Sequence, residues 1–400
     1  MAFSMLQLFL FGALGPRLVE ELGVSPTALG WTTTVGFGTA AVLSPVGGRL
    51  VDRMGPRRSL VLLLSVSAVT LALIGAAPGP GFLLAAVALG GIPQALANPA
   101  TNKAILAAVA PARRGPVTGM KQSGVQVGAF AAGLPLTALA GGIGWRGAVW
   151  TAAATAALAA VWALRALPAD LGGPAGFAGH AGHAGPAGHG GPAGHAGPAG
   201  KAAATRASLV PRGTIAWLAV FSLFLGCGIA SVNTYVALFG AQRLGMGPTA
   251  AGALVAVLGV AGIGGRVGWA KAARPGRAEW LPGGLAAGAV GAAALLAAAL
   301  AVPALVWAGA VAVGVFAVSA NAVSMVLVMQ RSAPGRAGQD SALVSAGFFA
   351  GFAVGPSLFG PLADTGRYGP GWLLVAAEFA AACAVATTWA VRERRVGRGR

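Results

Sequence analysis

Acidic side chains are almost missing from this sequence: nine aspartates and glutamates stand among 400 residues, and only 9% of the chain is charged. A soluble domain carries about 25% charged residues, so the deficit excludes an ordinary water-facing surface. Cysteine is as scarce. Cys227 and Cys383 each fall inside an apolar run, which argues against a disulfide framework or thiol chemistry and for small core side chains. All four histidines (His180, His183, His189, His195) share one Gly/Ala/Pro-rich stretch, leaving none in an apolar run for a metal or a catalytic pair. Neither a G-x-x-x-x-G-K-[ST] phosphate loop nor an H-E-x-x-H pair occurs, and no two carboxylates pair within an apolar run. These absences speak against an enzyme, an ATP-driven pump and a bound cofactor. No catalytic or metal-ligating residue is assigned. Nothing resembles a cleavable leader either, because no basic segment precedes the first apolar run.

What is present is apolar: 56% of residues are hydrophobic, and the mean hydropathy is +0.76. Runs of about 20 such residues, enough to cross a hydrocarbon core of about 30 Å, recur along the chain. They fall near 1–19, 29–48, 59–77, 82–108, 117–139, 147–167, 214–239, 249–267, 281–301, 303–330, 341–361 and 371–390. A backbone in lipid must satisfy its own hydrogen bonds, and the runs are too long for barrel strands. The sequence therefore predicts an all-α polytopic membrane protein with twelve transmembrane helices.

The formal charge of +18 first suggests nucleic acid as a partner. Its placement argues otherwise, because the basic residues sit in short loops between apolar runs and no base-reading motif accompanies them. One set of alternate loops holds Arg49, Arg53, Arg57, Arg58, Arg113, Arg114, Arg266, Lys271, Arg274, Arg277, Arg331 and Arg336, and the tail "RERRVGRGR" joins it. The opposite set has only Arg17, Arg146, Arg243 and Arg367. The positive-inside rule places the basic side, and with it both termini, in the cytoplasm of a cell whose plasma membrane the chain crosses.

Four segments follow: a six-helix half at 1–167, a linker at 168–213, a second six-helix half at 214–390 and a basic tail at 391–400. The linker is small residues and proline, which cannot bury a core, so it reads as a disordered cytoplasmic spacer. Its histidines could form a loose metal site, but gathering them costs a floppy chain much ordering entropy, and a repeat-expanded spacer is favoured.

The two halves read as parallel repeats. "LGVSPTALG" (22–30) returns as "LGMGPTAAG" (244–252), "GGR" at 47–49 returns at 264–266, and Gly124 and Gly128 return as Gly347 and Gly351. By the same register the counterpart of the seventh span's start lies before Met1. The first span, roughly 28 Å long at 1.5 Å per residue, barely crosses, so the native start is expected upstream.

"GGRLVDRMGPRR" (47–58) then falls between the second and third spans on the cytoplasmic side. Here the chain resembles the major facilitator superfamily, whose signature G-x-L-x-D-R-x-G-R-R is matched by Gly48, Leu50, Asp52, Arg53, Gly55, Arg57 and Arg58. Pro56 departs from it, standing where the family usually carries a basic residue. The resemblance implies a cytoplasmic gate of Gly48, Asp52, Arg53, Gly55, Arg57 and Arg58, holding the halves together while the cavity opens outward. Topology alone explains the arginines but not Asp52 or the glycines.

The resemblance also implies that spans 1, 4, 7 and 10 line a mid-membrane cavity between the halves. Span 4 carries Gln94, Asn98 and Asn102 at i, i+4 and i+8, hence on one face, with Pro93 and Pro99 loosening the helix. Span 10 offers Asn321 and Ser324, span 7 Asn233 with Tyr235, and span 1 Gln7. Span 5 adds Gln122, Gln126 and Lys121, with Lys103 at a comparable depth on span 4. Such groups are costly toward lipid. Amides that merely glue helices and lysines that snorkel to the interface remain open alternatives. Gly124, Gly128, Gly133 and Pro135 only loosely match the family's antiporter pattern. Glu378 in span 12 is the one mid-span carboxylate, at a position the family keeps peripheral. Without a buried acid in the cavity, a cationic cargo loses ground to a neutral or anionic one.

The expectation is thus a secondary active or facilitative transporter of a small neutral or anionic organic solute, working by alternating access. Its partners are the solute and the lipid bilayer, with a proton moving on the substrate or no coupling at all, no nucleic acid, and a monomer sufficing. The alternatives are an efflux pump for drugs or metabolites of the same superfamily and, more remotely, a transport-dead sensor.

Overall fold

The computed structural model describes residues 1–110, 113–167, 213–272, 279–332 and 337–398. Of the expected linker 168–213 only Gly213 falls within them, so its four histidines lie outside the described residues, and Gly48, Arg49 and Asp52 are described as helical backbone only. The first half holds α1 (Ala2–Leu22), α2 (Pro26–Met54), α3 (Pro56–Ala76) and α4 (Pro80–Ala108). Next, α5 runs from Arg114 through a π-helical turn, Ala132–Leu136, to a break at Gly144, where φ is 76 and ψ is 162, and α6 follows as residues 145–166. The second half holds α7 (Thr214–Leu244), α8 (Pro248–Ala272) and α9 (Leu281–Ala298). Then come α10, which runs from Leu305 through a π-helical turn, Val313–Val318, to Arg331, α11 (Ala337–Asp364) and α12 (Tyr368–Arg398). No strand occurs among the described residues.

Ten of these stretches are long and apolar enough to cross a membrane, by length and composition. Two of the twelve expected spans are not separate among the ten. Met120–Ala166 counts as one stretch of 47 residues. As a straight rod it would reach about 70 Å, and the positive φ at Gly144 is what turns it back. The other is α2, a full 29-residue helix whose glycines, threonines and proline dilute its apolarity. Helix ends also run past the spans, and α12 carries on through most of the expected tail to Arg398.

The turn between α2 and α3 is a single residue. Gly55 has φ 87, a conformation that favours glycine, and Pro56 is the first residue of α3. Proline suits that position because its missing N–H would have no intrahelical partner. The departure from the family signature is therefore a helix start.

The sequence repeat is visible as repeated packing. Gly128 of α5 lies against α1, where a Cβ would stand 3.0 Å from Ala2 O. Its repeat-mate Gly351 of α11 lies against α7, where a Cβ would stand 2.1 Å from Leu223 O. Without side chains between them the backbones touch, which is how helices associate where lipid removes the hydrophobic drive. An aromatic cluster stiffens the far end of the second half: Phe359 packs on Tyr235 at 4.6 Å and on Trp372 at 5.0 Å between ring centres. Glu378 is buried in α12 with neither carboxylate oxygen partnered among the described residues.

Candidate functional site

Three of the expected cavity residues come together. Lys121, about two turns in from the basic end of α5, sends its Nζ to Asn102 Oδ1 at 2.7 Å and Asn98 Oδ1 at 3.3 Å on α4. The i, i+4 spacing of the two asparagines puts both oxygens on the face that α5 adjoins. An ammonium has three N–H donors, so two are taken by neutral amides and one is left. No carboxylate ion-pairs with Lys121 among the described residues. Exposure along this face rises toward the basic end: Gln94 is buried, Asn98 half-buried and Asn102 exposed.

The adjacent residue carries a second cation. Arg266 of α8, from the other half, donates Nη1 to Gln122 O at 2.9 Å, while its Nε has no partner among the described residues. Its place as the second-half copy of Arg49 predicts a loop residue. The structure puts it inside α8 instead, reaching α5.

The remaining amides are not gathered into this cluster. Gln126 is buried against Gly262 of α8, with Oε1 unpartnered among the described residues. Gln94 is buried with neither amide atom hydrogen-bonded among them. Asn233 turns its Nδ2 back to Ile229 O at 2.8 Å, and Ser324 donates to Asn321 O at 2.8 Å. Lys103 donates to Val51 O at 3.2 Å, so it places a cation at the C-terminal turn of α2, where the helix dipole favours one.

The halves are also tied at the end opposite the basic loops, through residues of which the sequence singled out only Tyr235. Asp364, the last residue of α11, accepts from Thr27 N at 3.1 Å and also from the Thr27 hydroxyl. Ser25 accepts from Ala28 N at 3.1 Å, so α2 is capped by its own half and by the other at once. Tyr235 of α7 places its hydroxyl 2.9 Å from Pro26 O and 3.0 Å from Pro356 O. Thr33 meets Thr234 at 3.1 Å, and Thr34 donates to Ala353 O at 2.6 Å. Phe37 of α2 packs on Phe352 of α11 at 4.6 Å between ring centres. Over their whole lengths α4 packs on α1, α2, α3 and α5, while α11 packs on α2, α7, α10 and α12. The signature turn is braced from within its own half, where Arg57 donates to Leu164 O.

A test of this closure follows. Asp364→Asn keeps the shape but removes the charge at the start of α2, at a cost of about 1 kcal/mol to the tied end. A membrane-impermeant thiol reagent is then expected to label Thr33→Cys severalfold faster, in a chain lacking Cys227 and Cys383. Equal labelling with and without Asp364→Asn would show that the carboxylate does not hold the halves.

A sequence model of the Major Facilitator Superfamily matches residues 1–356. Among solved structures, a bacterial homolog of the human lysosomal transporter Spinster, inward-facing and occupied, superposes with a TM-score of 0.72 at 15% identity, covering 98% of this chain and 94% of that one. The nucleoside transporter NupG gives 0.71 at 13% identity, covering 97% and 98%. The human organic anion transporter MFSD10 (TETRAN) gives 0.68 at 16% identity, covering 96% and 97%. No curated protein sequence matches the chain. Helical repeats in two halves, the one-residue turn at Gly55 and the family match over most of the length agree: this multi-pass membrane protein belongs to the Major Facilitator Superfamily of transporters.

Proposed function

We propose that this transporter carries a small organic anion, or a neutral solute with a strong acceptor, by alternating access, as a secondary active or facilitative carrier. The observation that carries the reading is Lys121: a cation within a membrane span, held by two amide oxygens and paired with no carboxylate among the described residues. Charge at that depth is costly unless something of opposite sign answers it. The half-buried Arg266 across the seam adds a second donor set of the same sign. A cationic cargo would meet repulsion from both.

The proposed orientation puts the basic loops in the cytoplasm of a plasma membrane, with both termini there. The ties at the opposite end then close the exterior, and the arrangement is an inward-facing one in which Arg266 still joins α8 to α5. Consistent with this, the gate of Gly48, Asp52, Arg53, Gly55, Arg57 and Arg58 would engage only after the halves rock the other way. The boundaries 1–167 and 214–390 stand as the two rocking bodies. A monomer suffices, with a proton moving on the substrate or no coupling. Chemistry on the solute forms no part of this reading.

Melting the purified protein against panels of carboxylates, organic phosphates, neutral polar solutes and lipophilic cations tests it. A ligand of the folded state raises apparent stability by about 2.7 kcal/mol at a hundredfold excess over Kd. Anions are expected to shift the melt and to be taken up by vesicles holding the protein. A shift by lipophilic cations alone would replace this reading with drug efflux.

A further inference from the structure

Beside the seam, the basic end of the second half carries a groove of about 450 Å³. Its walls are Trp269 of α8, Trp280 and Leu285 around the start of α9, and Phe316 of α10, with Arg394 of α12 at the rim. Trp269 and Phe316 stand 6.3 Å apart between ring centres, and the Arg394 guanidinium lies 4.8 Å from the centre of the Trp280 ring. Phe316 packs where Gly288 leaves room, so the groove runs about 10 Å inward from Leu281 at 1.5 Å per residue. A second hollow of about 270 Å³ shares Trp280 and Arg394 with it and adds Arg395.

The charges at this mouth are one-sided. Glu279 and Glu393 both pair with Arg331, the latter at 3.2 Å, which leaves Arg394 and Arg395 exposed without those acids as counter-ions. Trp280 Nε1 is buried and has no partner among the described residues. The flanking α9 packs on α10 and α12, both of its own half, so the groove lies on the outer wall and not between the halves. An aromatic-walled cleft ending in two arginines matches a lipid's two parts: an acyl chain and a phosphate. Tryptophan suits that boundary because one end of its ring system is apolar and the other a donor.

We propose that this groove seats one anionic phospholipid of the leaflet on the basic side. The chain lies along the wall that Trp269 and Phe316 form together, and the phosphate rests on Arg394 and Arg395. Basic pockets between helices at a leaflet surface are the usual way that membrane proteins select anionic headgroups. The lipid would then bridge α8, α9, α10 and α12 where Arg331 already ties the turn at Glu279 to α12.

The test uses the full chain in dodecyl maltoside, with dioleoyl phosphatidylglycerol against dioleoyl phosphatidylcholine, read by native mass spectrometry of retained lipid. Phosphatidylglycerol is expected to be retained more tightly, and Arg394→Gln with Arg395→Gln to weaken it about thirtyfold, since each basic group near the surface contributes about a fivefold factor. Gly284→Leu provides the second arm. A Cβ at Gly284 meets nothing within 4 Å, so the leucine fills the groove without disturbing the backbone and keeps every arginine. It is expected to abolish selective retention while leaving the lipid-free melt unchanged. Equal retention of the two lipids by the unaltered chain would overturn the proposal, as would undiminished phosphatidylglycerol binding by Gly284→Leu.

Discussion

Replacing Lys121 by alanine is expected to weaken binding of an anionic solute by about tenfold to a hundredfold. A hydrogen bond to a charged group contributes about 1.5–3 kcal/mol, and partial shelter from water keeps the effect toward the upper figure. The same change leaves Asn98 Oδ1 and Asn102 Oδ1 without their donor, but Asn102 is exposed and water can replace the ammonium there. Stability should therefore fall little while affinity falls much. Lys121→Arg keeps the charge in a larger, planar donor and should retain part of the binding, with altered selectivity among anions. Asn98→Ala or Asn102→Ala should cost only a few-fold, because each removes one of two acceptors that orient the ammonium. Uptake into vesicles and anion-induced shifts of the melt are the readouts. If Lys121→Ala moves neither, the lysine is a snorkelling side chain that stabilises the α4–α5 contact, and the anion reading loses its basis.

The second large effect is expected at Gly12. A Cβ there would stand 1.9 Å from Asn233 O, and this contact joins α1 of one half to α7 of the other. A helix carbonyl cannot swing aside as a long side chain can, so Gly12→Ala forces the two helices apart. Overpacking of this kind costs about 1–3 kcal/mol in the arrangement seen here. In an arrangement where α1 and α7 part at this level the cost vanishes. The substitution should thus move the equilibrium between the two states by about 5- to 150-fold. Labelling of Thr33→Cys from the side opposite the basic loops should rise accordingly. Gly351→Ala is the control, since its Cβ would stand 2.1 Å from Leu223 O inside one half. It should lower the melting temperature without raising Thr33→Cys labelling. Identical behaviour of the two variants would mean that Gly12 is ordinary packing and not part of the moving seam.

Much of the architecture was readable before any coordinates. Apolar runs long enough for a bilayer gave the helices, and the glycine repeat-mates Gly128 and Gly351 gave the pseudo-symmetry, because each marks a place where two backbones touch. The amide face of α4 was readable too, since Asn98 and Asn102 need only helical periodicity to align. Two of the twelve runs read from the sequence are not separate among the ten apolar stretches of the structure, for opposite reasons. α2 is rich in small and polar residues, and the α5–α6 bend depends on one positive φ at Gly144 that hydropathy does not register.

What periodicity could not supply was the rotation of one helix about its axis relative to another. Lys121 was a candidate for the cavity or for the interface until α4 and α5 were set side by side. Lys103, at a similar depth, proved to face the end of α2 instead. Arg266 has the sequence setting of a loop residue, yet it lies in a helix, because neither its "GGR" nor the one at 47–49 ends the helix that holds it. Asp364 and Thr27 carry no mutual signal at all, being 337 residues apart in the chain.

By itself, then, the sequence determined that the chain crosses a membrane as paired helical bundles with a charge-marked side, because hydropathy, periodicity and charge act over one helix or one loop. Tertiary structure alone decided which end of the seam is tied, by Asp364, Tyr235 and Thr33, and which cations face across it. Those contacts join helices from different halves, and their register depends on the packing of all the helices between them.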